Sequence, residues 1–149
     1  MANVNSPNGF TPAYHMSGGT IRPSEFAIAS ATNASIFSGD VVNLSSGYVI
    51  QGTATGTPLG VFAGVEYQAT DGSVVFSNQW VADTATLGSA DAKAYVYADP
   101  DIVYEAQSSA TPTQATIGTT NTITTTAGNS STGRSKEAVT ATTSSGIAL

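Results

Sequence analysis

His15 is the only histidine of the chain, and imidazole is the side chain whose ordinary pKa best suits it to move protons or bind a transition metal near neutral pH. Its sequence surroundings support neither role. None of the five residues before it is acidic, and it stands in a segment rich in Pro and Gly, so a Ser/His/Asp relay would have to be assembled entirely by the fold. The expectation is an exposed or turn-capping imidazole. The densest acidic group, Asp99, Asp101 and Glu105, offers oxygen ligands suited to a hard cation. Calcium sites gather about six to eight oxygens, and this stretch lacks the D-x-[DN]-x-[DN]-G spacing of a calcium loop. A turn with Asp99 ahead of Pro100 is the simpler reading. Gly52, Gly56 and Gly60 recur at four-residue spacing, but Thr and Pro flank them and no Gly-Lys-Ser/Thr follows. That pattern fits a mobile surface loop better than helix packing or a phosphate cradle. With ten acidic and four basic residues, the chain has few titratable groups from which to build a convergent site. We therefore expect no catalytic residues, no metal and no cofactor.

The large apolar residues are few enough to examine singly. Trp80 is the sole tryptophan, suited either to anchoring a core or to forming the centre of an interface; the sequence leaves both open. Phe10, Tyr14 and Ile21 lie in a Pro/Gly-rich opening segment, where apolar groups argue that the segment packs on something. Tyr95 and Tyr97 lie in a contiguous aromatic and β-branched run. These six residues are the candidate contacts to a partner or sister subunit.

The elements that must position them read as strands. Runs of β-branched and aromatic residues at 40–44, 48–50, 61–67, 74–77, 94–97 and 102–107 are separated by Gly, Asp, Asn and Ser, the strand-and-turn signature. Ser45-Ser46-Gly47 and Asp71-Gly72 stand where tight hairpin turns would join neighbours. In Tyr95-Val96-Tyr97 and Ile102-Val103-Tyr104 the large residues are contiguous, which suggests cover on both faces. No segment sustains a 3.6-residue period, although residues 26–37 have room for a helical turn or two. The expected fold is all-β, a small antiparallel sandwich or a barrel or tulip, with little helix. Residues 1–25 are expected to form an extended arm and residues 26–149 a β domain. Within that domain, residues 108–146 form Ser/Thr-rich loops and weak strands, Thr122-Ile123-Thr124 among them. The apolar ending Ile147-Ala148-Leu149 is expected to pair with its own sheet or a neighbour's.

Composition narrows the partners. Charged residues make up 9% of the chain and the net charge is -6, against roughly 25% charged in ordinary soluble proteins. Lys93, Lys136, Arg22 and Arg134 are its only cations, too few to neutralise a phosphate backbone, so nucleic acid is not an expected partner. Cysteine is absent, which removes disulfides and thiolate metal sites. The first 30 residues show no basic leader or apolar run of the secretory kind, and no stretch approaches the ~20 apolar residues of a membrane span. A sparsely charged β protein with apolar groups on an arm favours assembly, because strand edges and apolar ends can be buried against copies of itself.

The order of landmarks resembles the head decoration, or cement, proteins of tailed bacteriophages. The start Met1-Ala2-Asn3-Val4-Asn5-Ser6-Pro7-Asn8-Gly9-Phe10-Thr11-Pro12 is similar to their Met-Ala-Asn opening with its Pro-Phe-Gly-like turn. Phe37-Ser38-Gly39-Asp40-Val41-Val42 resembles an "Ile-Gly-Asp-Pro-Val" strand, and Pro58-Leu59-Gly60-Val61-Phe62-Ala63-Gly64-Val65 a central "Gly-Val" strand. The most specific stretch runs from Ala94 to Gln107 and resembles "Val-Ala-Asp-Asp-Pro-x-x-x-Phe-Glu-x-Gln". Thr132-Gly133-Arg134-Ser135 adds a weaker landmark. Members commonly continue through further strands, whereas this sequence stops at Leu149, so a last strand that is missing or exchanged between subunits is expected.

The resemblance implies a structural virion protein. It would form homotrimers on the outer capsid surface at three-fold positions and bridge major capsid protein subunits, with the 1–25 arm touching the coat or a sister subunit. A net negative charge suits a face turned away from packaged DNA. The rival reading is a phage adhesin that stacks Tyr48, Tyr67, Trp80 and Tyr95 on host-surface glycan.

Overall fold

The computed structural model describes residues 5–53 and 56–143. Its strands are β1 (Thr11–His15), β2 (Ser24–Ile28), β3 (Ile36–Phe37), β4 (Val41–Ser45), β5 (Tyr48–Gln51), β6 (Pro58–Gln68), β7 (Val74–Ser77), β8 (Gln79–Trp80), β9 (Ala92–Tyr97), β10 (Ile102–Glu105), β11 (Asn121–Thr124) and β12 (Ala138–Thr143). Helix is limited, among the described residues, to single 3-10 turns at Leu87–Ser89 and Gln114–Thr116. No helix there is long and apolar enough to cross a membrane.

The expected all-β class holds, and the pairing closes it into a barrel. Strand order β4-β5-β2-β9-β6 returns to β4 through a further β4–β6 pairing, giving five closed strands, with β7 continuing the sheet beyond β6. All of these pairs are antiparallel except β2–β5, which is parallel through Ala27 and Tyr48. A purely antiparallel sheet was the expectation. No hairpin joins β2 to β5, so no tight turn obliges them to run antiparallel. The two expected hairpins are present. At the β4–β5 turn Ser46 and Gly47 both have positive φ, 51° and 86°, the left-handed pair of a two-residue turn. At the β6–β7 turn Asp71 Oδ1 accepts from the Ser73 amide at 2.9 Å and its hydroxyl at 2.7 Å.

Alternation decides which side chains enter the barrel. On β9 Ala92, Ala94 and Val96 point inward to meet Ile28, Val42, Val49, Phe62, Val65, Ile36 and Trp80, while Lys93 is exposed and Tyr95 and Tyr97 are half-buried. Phe62 and Trp80 supply the bulk where the alanines leave room. A second core of Phe10, Val41, Val61 and Ile123, with Tyr104, Ala106 and Val139 against it, lies outside the barrel wall. Two ribbons cover it, the antiparallel pairs β1–β10 and β11–β12. Adjacent residues therefore face different cores, Val41 and Val61 the outer one, Val42 and Phe62 the inner. The two-sided cover expected at Tyr95-Val96-Tyr97 belongs instead to Val41-Val42 and Val61-Phe62. Tyr104 ties ribbon to barrel by donating its hydroxyl to the Tyr97 carbonyl at 2.8 Å; burial first, then the Asp99 charge, push this phenol up to about 12.

Two local expectations change. Gly52 and Gly60 do not belong to a mobile loop. A Cβ at Gly52 would stand 2.3 Å from the Val41 carbonyl oxygen, and one at Gly60 would stand 2.0 Å from that of Tyr97. Both are positions where barrel strands approach too closely for any side chain. The 26–37 stretch forms strand, turn and strand, because Phe26 and Ile28 alternate with the β9 register. The weak strand at Thr122-Ile123-Thr124 forms as β11. Ile147-Ala148-Leu149 lies outside the described residues.

Candidate assembly surface

The β7 strand has a partner on one side only, β6, among the described residues. Its other edge leaves backbone donors and acceptors open to solvent. Alternation sends Val74 and Phe76 to one face of this edge, 57% and 70% exposed. Val74–Ser77 contains no Lys, Pro or bulge, the devices that ordinarily keep an edge strand from pairing with another chain. The sequence had marked these residues as a strand but not as a surface. The available signal was an uncharged Val-Val-Phe run after an Asp-Gly turn.

The six predicted contact residues separate. Phe10 is 5% exposed and belongs to the outer core, and Trp80 is fully buried in the barrel, so of the two roles open to Trp80 it occupies the core one. Tyr14 is 59% exposed and neighbours the exposed Met16, while Ile21, Tyr95 and Tyr97 are half-buried. The fold does not bring the six together. The opening segment packs on its own chain: β1 pairs with β10, the Met16 amide donates to the Asp101 carbonyl at 2.9 Å, and the Phe10 amide donates to the Gly39 carbonyl at 2.9 Å. An open groove of about 520 Å³ runs beside the outer core, lined by Phe10, Met16, Ile102, Tyr104, Ile123 and Val139 among others.

The aromatic residues of the glycan reading are also dispersed into the fold. The Tyr67 and Trp80 rings pack on each other, and the Tyr95 hydroxyl donates to Glu66 Oε2 at 2.7 Å. The Glu66 hydrogen bond, burial and negative charge together push the Tyr95 phenol up.

His15 is not a free imidazole. Its Nε2 lies 3.1 Å from Asp99 Oδ2, and its Nδ1 receives both the Ser17 amide at 3.2 Å and the Ser17 hydroxyl at 2.8 Å. Asp99 also opens the expected turn, accepting from the Asp101 amide at 2.9 Å; that bond and the His15 bond hold its carboxyl low. The fold thus gathers Ser17, His15, Asp99 and Asp101, with one ligand-type atom of His15, Asp99 and Asp101 within 4.8 Å of one another. Chemistry restricts the trio. A neutral ring that accepts at Nδ1 carries its proton on Nε2, the atom facing Asp99. Metal on Nε2, or proton transfer from Ser17 to Nδ1, would leave an N–H at Nδ1 pointing at the Ser17 amide N–H. The arrangement is a clasp between the β1 end and the β9–β10 turn.

Comparison with protein-family models, curated proteins and solved structures gives no match.

Proposed function

We propose that the protein is a structural virion component, a head decoration protein that docks on the outer face of a tailed-phage capsid and bridges major capsid protein subunits. The observation that carries the reading is the uncovered β7 edge, where Val74 and Phe76 stand exposed on an otherwise closed and sparsely charged barrel. An edge of this kind accepts a strand from another chain, main-chain hydrogen bonds giving affinity and the alternate side chains specificity. One such contact is modest. Repeated over a shell, with subunits joined as a homotrimer, modest contacts multiply into firm attachment. The net charge of -6 favours the shell's exterior over its DNA-facing side. The landmarks from Met1 to Ser135 support a capsid as the surface bound; the edge supports binding to a protein surface.

Co-sedimentation of the purified protein with undecorated expanded capsids of its source phage, with oligomeric state read by light scattering, tests the proposal. Saturable binding by a trimer at a fixed ratio to coat subunits is the expected result. Absence from shells with retention on host envelopes would replace it with the adhesin.

A further inference from the structure

Two carboxyl groups are buried where the barrel meets the segment that leads into β12. Asp40, at the β3–β4 corner, and Glu137, one residue before β12, are each 0% exposed. Each has one oxygen satisfied by a backbone amide: Asp40 Oδ2 accepts from Phe37 N, and Glu137 Oε2 from Val41 N, both at 2.8 Å. The second oxygen of each, Asp40 Oδ1 and Glu137 Oε1, is buried and has no hydrogen-bond partner among the described residues. Isolated carboxylates with a bare buried oxygen are costly, and beside an ionised Asp40 it is Glu137 that keeps a proton instead.

Among the described residues no buried cation offsets a second negative charge, and the Ser135 hydroxyl favours ionisation of Asp40 rather than of Glu137. From β4 comes the Val41 amide, from the β3–β4 corner Asp40 itself, and from the same segment Ser135, which is 1% exposed and accepts from the Glu137 amide at 3.0 Å. The opening segment contributes Gly9, so close that a Cβ there would stand 2.4 Å from the Ser135 Cβ. Arg134 and Lys136 flank the site in sequence but are exposed.

We propose that Glu137 is a proton-held latch: protonated, it stays buried between the β11–β12 segment and the barrel wall, and its ionisation, which that burial penalises, releases the hairpin while the barrel stays closed. Burial first, and then the Asp40 charge, push the Glu137 carboxyl up to about 8, against the pull of the Val41 amide. Burial likewise raises Asp40, opposed by the Ser135 hydroxyl and the Phe37 amide. The folded value exceeds the ordinary 4.5, so the latch is complete below that value. It weakens as pH rises and is lost through about 8. The split between inner and outer cores supplies the mechanical counterpart: Ile123 and Val139 of the hairpin pack against the outer core and neither belongs to the inner one, although β12 is also bonded through its backbone to Gln107 and Ser109, and the chain leading into it to Ser38.

Hydrogen exchange across pH tests the latch, with each amide's protection corrected for its intrinsic rate. Protection in β11 and β12 should fall about tenfold per pH unit up to about 8 and level above it, while β9 stays unchanged. Glu137→Gln, which keeps an acceptor for Val41 without a titrating proton, should make the hairpin's protection flat with pH. Should that variant not fold, Asp40→Asn serves instead: losing the neighbouring charge moves the midpoint to lower pH. A flat profile in the unaltered protein overturns the proposal. So does protection restored at high pH by millimolar calcium in the unaltered protein but not in Glu137→Gln, which would assign the bare oxygens to a cation.

Discussion

The rings of Tyr67 and Trp80 meet edge to face, centroids 5.5 Å apart and planes at 79°. This pair joins the long β6 strand to the short β8 strand, whose partner β3 brings Ile36 and Phe37 into the same wall. Trp80 is fully buried, yet its indole nitrogen has no acceptor among the described residues. Trp80→Ala should cost about 3–5 kcal/mol, the range for emptying a large aromatic site. Trp80→Phe should cost much less, because it keeps a ring against Tyr67 and removes a buried donor whose isolation costs about 1–3 kcal/mol. Urea denaturation followed by circular dichroism measures both; equal losses in the two variants would mean that the indole nitrogen is satisfied.

Close approach of strands, not backbone conformation, is the reason for glycine at Gly60. A Cβ there meets the Tyr97 carbonyl oxygen at 2.0 Å and carbon at 2.8 Å, both backbone atoms that cannot swing aside. Gly60→Ala should therefore part β6 from β9 and destabilise the barrel by several kcal/mol, at the upper end of single-substitution effects. Gly72→Ala is the contrast. Its φ is 90° and its surroundings are open, so only backbone strain of roughly 1 kcal/mol is expected. Denaturant midpoints of the two variants should differ widely, and similar midpoints would contradict the steric account.

Strands and hairpins were legible because their signals are local. Ser46-Gly47 and Asp71-Gly72 announce turns by residue type alone, whereas the alternation on β9 was hidden because Tyr95 and Tyr97 are as large as the residues that face the core. What the sequence did not disclose depends on distant segments. Nothing in the neighbouring sequence singles out Glu137, whose amide partner Val41 lies 96 positions away. His15 reads as an exposed or turn-capping imidazole, and its bonds to Ser17 are of that local kind; Asp99, 84 positions away, reaches its ring only through the β9–β10 turn. Gly52 and Gly60 looked like parts of a loop because a glycine required by an approaching strand has the same local signature as one required by a turn. Trp80 offered two roles of similar weight, and burial against Tyr67 decides between them.

The clasp at His15 predicts a tautomer. With Nδ1 accepting from Ser17, the neutral ring should be the Nε2–H form, which the nitrogen chemical shifts of the imidazole report directly. Equimolar zinc should leave those shifts in place, because metal on Nε2 would force a proton onto the occupied Nδ1. Acidification bears on the other end. The Asp99 carboxyl is held low by the Asp101 amide and His15, so its contribution is present above the ordinary carboxylate range and fades as pH falls through its lowered value. Stoichiometric zinc binding lost in His15→Ala would overturn the clasp in favour of a metal site.

Phe76 separates folding from assembly. Its ring is 70% exposed on an edge strand, so replacing it removes little from the folded chain, and Phe76→Lys should change stability by no more than about 0.5 kcal/mol. The same substitution places a strongly hydrated charge on the face proposed to dock, the device by which edge strands are kept apart. Covering a phenyl ring contributes about 1.5–3 kcal/mol, so each docked edge should weaken about tenfold or more. Phe76→Tyr keeps the ring and should retain most of the binding. Shell occupancy and light-scattering mass measured together distinguish the uses of the edge. Occupancy lost with the trimer intact places the coat subunit on β7, and both lost together place a sister subunit there. An unchanged occupancy in Phe76→Lys would remove β7 from the binding surface, leaving the exposed Tyr14 and Met16 pair as the next face to alter.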